Sequence, residues 1–198
     1  VAEPRPAAGP PPGRPDPAGD DVVADTRDWT WVLDRPCPEC GLDVRTIERE
    51  QVADVLRSNA MAWADLLDAD PDELRSRPRP GRWSTLEYAC HVRDVYRLFD
   101  SRLVLMLEQD DPRYPNWDQD ATAVAADYRR QDPQVVLREL LAAADQLADR
   151  FDEVAGASWA RTGTRSDGAR FTVESFARYF IHDPVHHIWD VTGAQEEP

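Results

Sequence analysis

Residues 83–94 read Trp83-Ser84-Thr85-Leu86-Glu87-Tyr88-Ala89-Cys90-His91-Val92-Arg93-Asp94. Ser84 with Glu87 three residues on is a capping box, in which each side chain satisfies a backbone N–H left orphaned at a helix start. Downstream, Tyr88, Val92, Val95, Tyr96, Phe99, Leu103 and Met106 recur at helical spacing and form one apolar stripe. The stretch therefore predicts a long amphipathic helix that closes at Asp110-Asp111-Pro112. Three similar patterns lie around it. One runs from about Ile47 to Leu67 behind Thr46 as N-cap, with Val52, Val55, Leu56, Ala60, Trp63, Leu66 and Leu67 on its apolar face. Another follows Asp132-Pro133, an N-cap with Pro at the first helical position, and carries Val136, Leu140, Leu141, Leu147 and Phe151. The last runs from Val173 to about Val191, capped by Thr172. A short helical piece is expected near Ala121 to Arg129, and a loop with Gly156, Gly163 and Gly168 precedes the last helix. No series of strand alternations stands out. Four long amphipathic helices with modest connections predict an all-α fold, an up-down four-helix bundle.

The chain has 198 residues, and 23 basic against 38 acidic side chains give a net charge of −15. Phosphate binding needs clustered cations, so this balance argues against nucleic acid and against an anionic membrane surface as partners. No apolar run approaches the roughly 20 residues of a spanning helix, and no signal-peptide core is seen. Three cysteines make no disulfide framework, which fits a reducing cytoplasm. Of the 17 prolines, seven lie within the first 20 residues. Residues 1–26 are read as a disordered Pro/Ala/Gly-rich tail, because they have almost nothing to bury. Residues 27–45 are read as an extended N-terminal arm packed on the domain, since Trp29, Trp31 and Leu33 would otherwise face water. The bundle then occupies residues 46–195.

All four histidines lie on two of the predicted helices: His91 on the second, and His182, His186 and His187 on the fourth. Helical residues four apart share a face and can hold one metal ion, so two pairs are available, His182 with His186 and Asp183 with His187. At about 100° per residue the apolar stripe of the fourth helix centres near 10° when Val173 is set to zero. Asp183 then falls at about 280° and His187 at about 320°, on the edge of the stripe, while His182 and His186 fall at about 180° and 220°. The register thus favours Asp183 and His187, together with His91, which lies about 80° from its own stripe. Pro184 can bend the helix locally and keeps the other pair open. Three protein ligands leave coordination positions for water or substrate, as a catalytic site requires.

The capped segment Trp83–Asp94 resembles the second helix of the DinB-like superfamily, and His186-His187-Ile188-Trp189-Asp190-Val191 resembles its C-terminal metal-binding helix. The resemblance spans about Thr46 to Val191. It implies a four-helix bundle with a divalent metal, zinc above others, near its centre. Its usual ligands are a His on the second helix and a His-x3-His pair on the fourth, or Glu-x3-His in the maleylpyruvate isomerase branch. The second member of that pair is usually followed three residues later by Gln or Asp, which selects His187 with Asp190 and places Asp183 where the family has His or Glu. His182 with His186 restores the His-x3-His form by a one-residue shift. Characterised relatives use low-molecular-weight thiols such as mycothiol or bacillithiol. The resemblance therefore implies a metal-dependent thiol S-transferase or mycothiol-dependent isomerase acting on a small electrophile. The alternative is a non-catalytic binding or interaction module that the metal stabilises. The expected partners are the thiol and the electrophile, and a homodimer is left open.

Cys37-Pro38-Glu39-Cys40-Gly41 looks like half of a zinc knuckle. Three readings stand: a second metal site that borrows ligands from Cys90, a histidine or a second subunit; inert turn cysteines; and a redox dithiol. Arg161, Arg165 and Arg170 form a basic loop that could meet a carboxylated ligand. Tyr179 is placed to line a cavity. The acidic run Trp117-Asp118-Gln119-Asp120 reads as a helix cap before a cation site.

Overall fold

The computed structural model of the protein describes residues 27–193. The expected tail at residues 1–26 lies outside the described residues, as do residues 194 and 195 of the expected bundle. The described residues contain six α-helices: α1 (Val52–Leu66), α2 (Pro71–Arg75), α3 (Thr85–Glu108), α4 (Gln119–Ala125), α5 (Pro133–Asp152) and α6 (Val173–Thr192). The four long ones form the expected four-helix bundle. Its main packed pairs are α3 with α5, α1 with α5, α1 with α6 and α3 with α6. Two consecutive pairs of long helices are therefore diagonal, α1 to α3 and α5 to α6, while α3 and α5 pack side by side.

The helix starts follow their caps. Ser84 Oγ accepts from Glu87 N, and Glu87 Oε2 accepts from Ser84 N at 2.8 Å. Asp132 accepts from the amides of Gln134 and Val135, with Pro133 at the first helical position. Thr172 caps α6 through Ser175 N. Asp118 caps α4 through Ala121 N, so the acidic run does act as a cap. Thr46 does not cap α1. The chain makes a 3-10 turn at Val44–Thr46 and a second at Arg49–Gln51, where Glu48 and Gln51 exchange a capping box, and α1 begins at Val52.

The core is built where the four stripes meet. Leu56 and Trp63 of α1, Tyr96, Leu103 and Met106 of α3, Leu140 and Leu147 of α5, and Phe176 and Phe180 of α6 are all fully buried. Burying one such side chain contributes about 1.5–3 kcal/mol. Two polar groups inside are satisfied: Tyr96 Oη donates to Asn59 Oδ1 at 2.6 Å, and Asn59 Nδ2 donates to the Pro184 carbonyl at 3.1 Å. Asn59 thereby anchors α1 to α6 at the point where proline interrupts the helical ladder.

Two expectations are corrected. The stretch read as a glycine loop contains two strands, β2 (Thr162–Arg165) and β3 (Arg170–Thr172), which pair antiparallel, and β2 also pairs parallel with β1 (Arg113–Tyr114), which follows α3. These strands are too short for an alternation to register, and β2 finds one partner from a distant segment. The arm at residues 27–45 is wound rather than extended. Trp29–Leu33 and Val44–Thr46 form 3-10 turns that pack on α6.

Candidate metal centre

α6 presents its four candidate ligands in two directions. Asp183 and His187, one turn apart, face α3 and its His91. His91 Nε2 lies 3.4 Å from Asp183 Oδ1, and His187 Nε2 lies 3.7 Å from the same oxygen. A tetrahedral ion with bonds of about 2.0–2.1 Å holds its ligand atoms about 3.3–3.4 Å apart. The three donors thus sit at close to the edges of one coordination shell, within 4.8 Å of one another. His91 is fully buried, yet neither of its ring nitrogens has a hydrogen-bond partner, and Asp183 Oδ1 has none either. Orphaned buried polar atoms are costly unless something else satisfies them, and a cation between these three does so.

The electrostatics suit a cation. Burial lowers the His91 pKa, which disfavours the protonated ring that could not bind a metal. Burial alone would raise the Asp183 carboxyl, but the neighbouring His91 and His187 outweigh it and hold the group at about 2. His187 Nδ1 lies 2.7 Å from Asp190 Oδ2, so the carboxylate accepts the ring N–H and turns Nε2 toward Asp183. Arg82 donates to the other oxygen of Asp190 at 2.6 Å. Such supports orient a histidine ligand and raise its basicity. Trp117 stacks on His91 with ring centroids 5.3 Å apart, and Tyr88 covers His187 at 4.9 Å.

The centre opens into a cavity of about 860 Å³ whose walls are aromatic and carry both signs of charge, with Trp29, Trp83, Trp117, Arg82, Arg102 and Arg165 beside Asp118, Asp120 and Asp167. Arg102 is buried, donates to the Pro115 carbonyl at 2.7 Å, and keeps a second donor, Nε, without a partner. Burial pushes its pKa down to about 10, which leaves it charged at neutral pH. Arg165 donates to Tyr179 Oη at 2.9 Å, and both line the cavity.

Of the residues singled out in the sequence, His91, Asp183 and His187 come together. His182 and His186 do not join them. They turn to the arm, where Cys37 and Cys40 lie. Cys90 is apart from both groups, with its Sγ 3.8 Å from the Tyr128 carbonyl. Of the basic loop only Arg165 reaches the cavity. Arg161 donates to the Met106 and Gln109 carbonyls, and Arg170 pairs with Asp111. Arg102 was hidden in the α3 pattern as one charge on a polar face. Nothing in its spacing marks it as buried. Trp29 was expected only to pack the arm on the domain, and with Trp83 it lines the cavity.

Residues 54–191 match the DinB superfamily, and the chain belongs to it. The structure of YfiT from Bacillus subtilis, described as "a probable metal-dependent hydrolase with an unusual four-helix bundle topology", is similar with a TM-score of 0.69. The likeness covers 75% of this chain and 87% of that one at 18% identity, and it is a likeness of fold. No curated protein matches the chain. Among the described residues, no helix is long and apolar enough to cross a membrane.

Proposed function

We propose that the protein is a divalent-metal-dependent enzyme that directs a small thiol at an anionic electrophile, in S-transfer or isomerisation. The observation that carries this reading is the open cluster of His91, Asp183 and His187, with its orphaned donors, at the wall of a large cavity. A divalent ion held by these three residues would supply Lewis acidity, lowering the pKa of a thiol or water brought to it.

The nucleophile comes from outside the chain. Among the described residues, none that lines the cavity is Ser, Thr or Cys, and the chain contains no lysine, all 23 basic residues being arginine. Cys90, the thiol nearest in sequence, is buried with its pKa pushed up to about 12, so it is neither exposed nor ionised. The walls set the other partner. The unpaired Nε of Arg102 suits a carboxylate, whereas Arg82 and Arg165 are already paired with Asp190 and Asp167, and Trp83 and Trp117 offer flat apolar faces that exclude water. Asp190 keeps His187 in one tautomer.

Cobalt substitution tests the reading. Titrating a low-molecular-weight thiol into the cobalt protein should change its visible spectrum, and His91→Ala should abolish the change. No spectral response to any thiol would sink the thiol assignment. A second reading, metal-dependent hydrolysis, draws on the described role of YfiT, since the same open cluster would serve water as readily. Turnover of ester or amide substrates without added thiol would favour it.

A further inference from the structure

Two cysteines and two histidines meet beside the open cluster, where α6 faces the arm. Cys37 Sγ lies 3.7 Å from His186 Nδ1, and Cys40 Sγ lies 3.7 Å from His182 Nε2. All four donor atoms fall within 4.8 Å of one another. A tetrahedral ion with bonds of about 2.3 Å to sulfur and 2.0–2.1 Å to nitrogen sets these atoms about 3.6 Å apart. We propose that Cys37, Cys40, His182 and His186 form a second, closed Zn2+ site that clamps residues 27–45 onto α6 and so builds one wall of the cavity.

The local chain is shaped for it. Gly41 N donates to the Cys37 carbonyl and Cys37 N to the Leu42 carbonyl, both at 2.9 Å, which curls the Cys-x2-Cys segment into a tight turn. Gly41 sits at φ +75°, a conformation that a side chain would strain. His182 and His186 are one helical turn apart and share a face, so each side supplies two ligands at fixed spacing. Two thiolates and two imidazoles are soft and borderline donors, which select zinc over magnesium or calcium. The charges close as well, because two thiolates offset the dication.

The surroundings support the ligands. Cys37, His182 and His186 are buried. His186 presents its other nitrogen to Glu39 Oε2 at 3.5 Å and to Asp190 Oδ2 at 3.9 Å, the carboxylate support that metal-bound histidines usually have. Trp29 covers the ring faces of both histidines, each at 5.1 Å. With four protein ligands the site has no open position, so its role is structural. It shares a helix and Asp190 with the open centre but no ligand. Arg27, Asp28 and Trp29 of the clamped segment line the cavity, so this site fixes a wall that the bundle does not itself provide. The proposal holds whether or not the open centre is catalytic.

The test uses the full chain, loaded with Zn2+ under anaerobic conditions and desalted. Elemental analysis should find two zinc ions per chain, and zinc-edge X-ray absorption should show sulfur in the first shell. Cys37→Ser/Cys40→Ser should hold one zinc with no sulfur scatterer, whereas His91→Ala should keep the sulfur-bound ion. Absence of sulfur from the wild-type spectrum, a Cys37–Cys40 disulfide in the anaerobic protein, or unchanged zinc content in the double variant would overturn the assignment. Should the double variant not fold, the wild-type spectrum decides alone. Chelating the zinc should also speed tryptic cleavage after Arg45, which Thr46 follows, at least tenfold. An unchanged rate would remove the clamp.

Discussion

The Asp190 carboxylate lies 2.7 Å from His187 Nδ1 and 3.9 Å from His186 Nε2, so one side chain stands behind a histidine of each cluster. Its own position is fixed by Arg82 at 2.6 Å. Replacing it should therefore disturb both clusters unequally. Asp190→Asn should weaken metal at the open centre by about 10–100-fold, the usual effect of losing a supporting carboxylate. The closed cluster, held by two thiolates, should change less. Chelator competition, followed separately for the two ions, measures both.

In the proposed reading, Arg102 is the anchor for an anionic substrate. Arg102→Met keeps much of the packing volume and removes the unpaired donor. The dissociation constant for a small dicarboxylate should rise at least about tenfold, as expected for loss of a charge-assisted hydrogen bond. Calorimetric titration reads it. Stability should hold, because the variant also removes a buried charge that lacks a full set of partners.

Glu87 closes the α3 capping box and pairs with Arg77, whose NH2 lies 2.6 Å from Glu87 Oε1. Burial pushes its carboxyl upward, but Arg77 and the Ser84 amide outweigh that and hold it below the ordinary 4.5. A carboxylate with a depressed folded pKa contributes stability that is present above its unfolded pKa and lost as pH falls through the folded value. Glu87→Gln should therefore cost about 1–3 kcal/mol at pH 7. It should also flatten the part of the stability profile below pH 4.5 that Glu87 accounts for in the wild type. Urea unfolding of both proteins at pH 7 and at acid pH tests the sign.

Gly163 marks where β2 crosses α3. A β-carbon there would lie 2.7 Å from Met106 Cγ and 2.9 Å from Tyr114 Cε1. Gly163→Ala should destabilise by about 1–3 kcal/mol through overpacking, measured by urea unfolding. Leu147→Ala probes the opposite fault, a cavity in the buried face of α5, and should cost about 2–5 kcal/mol.

Residue types and spacing carried most of the bundle. The capping boxes at Ser84 and Thr172 and the Asp132-Pro133 start are local devices, complete within four residues, and the apolar stripes repeat at the helical period. For the same reason the i,i+4 relation of Asp183 to His187, and its angular offset from His182 and His186, was legible without coordinates. What lay beyond local reach came from long-range packing. The partners of His182 and His186 are cysteines that meet them only because the arm folds back on α6. The burial of Arg102 depends on Phe99, Tyr114 and Pro115 closing around it. The pairing of β1 with β2 joins segments about 50 residues apart. A helix declares its own periodicity, because its hydrogen bonds are local. Only tertiary structure decided which of its faces meets which neighbour, and so turned one crowded stretch of histidines into two separate clusters.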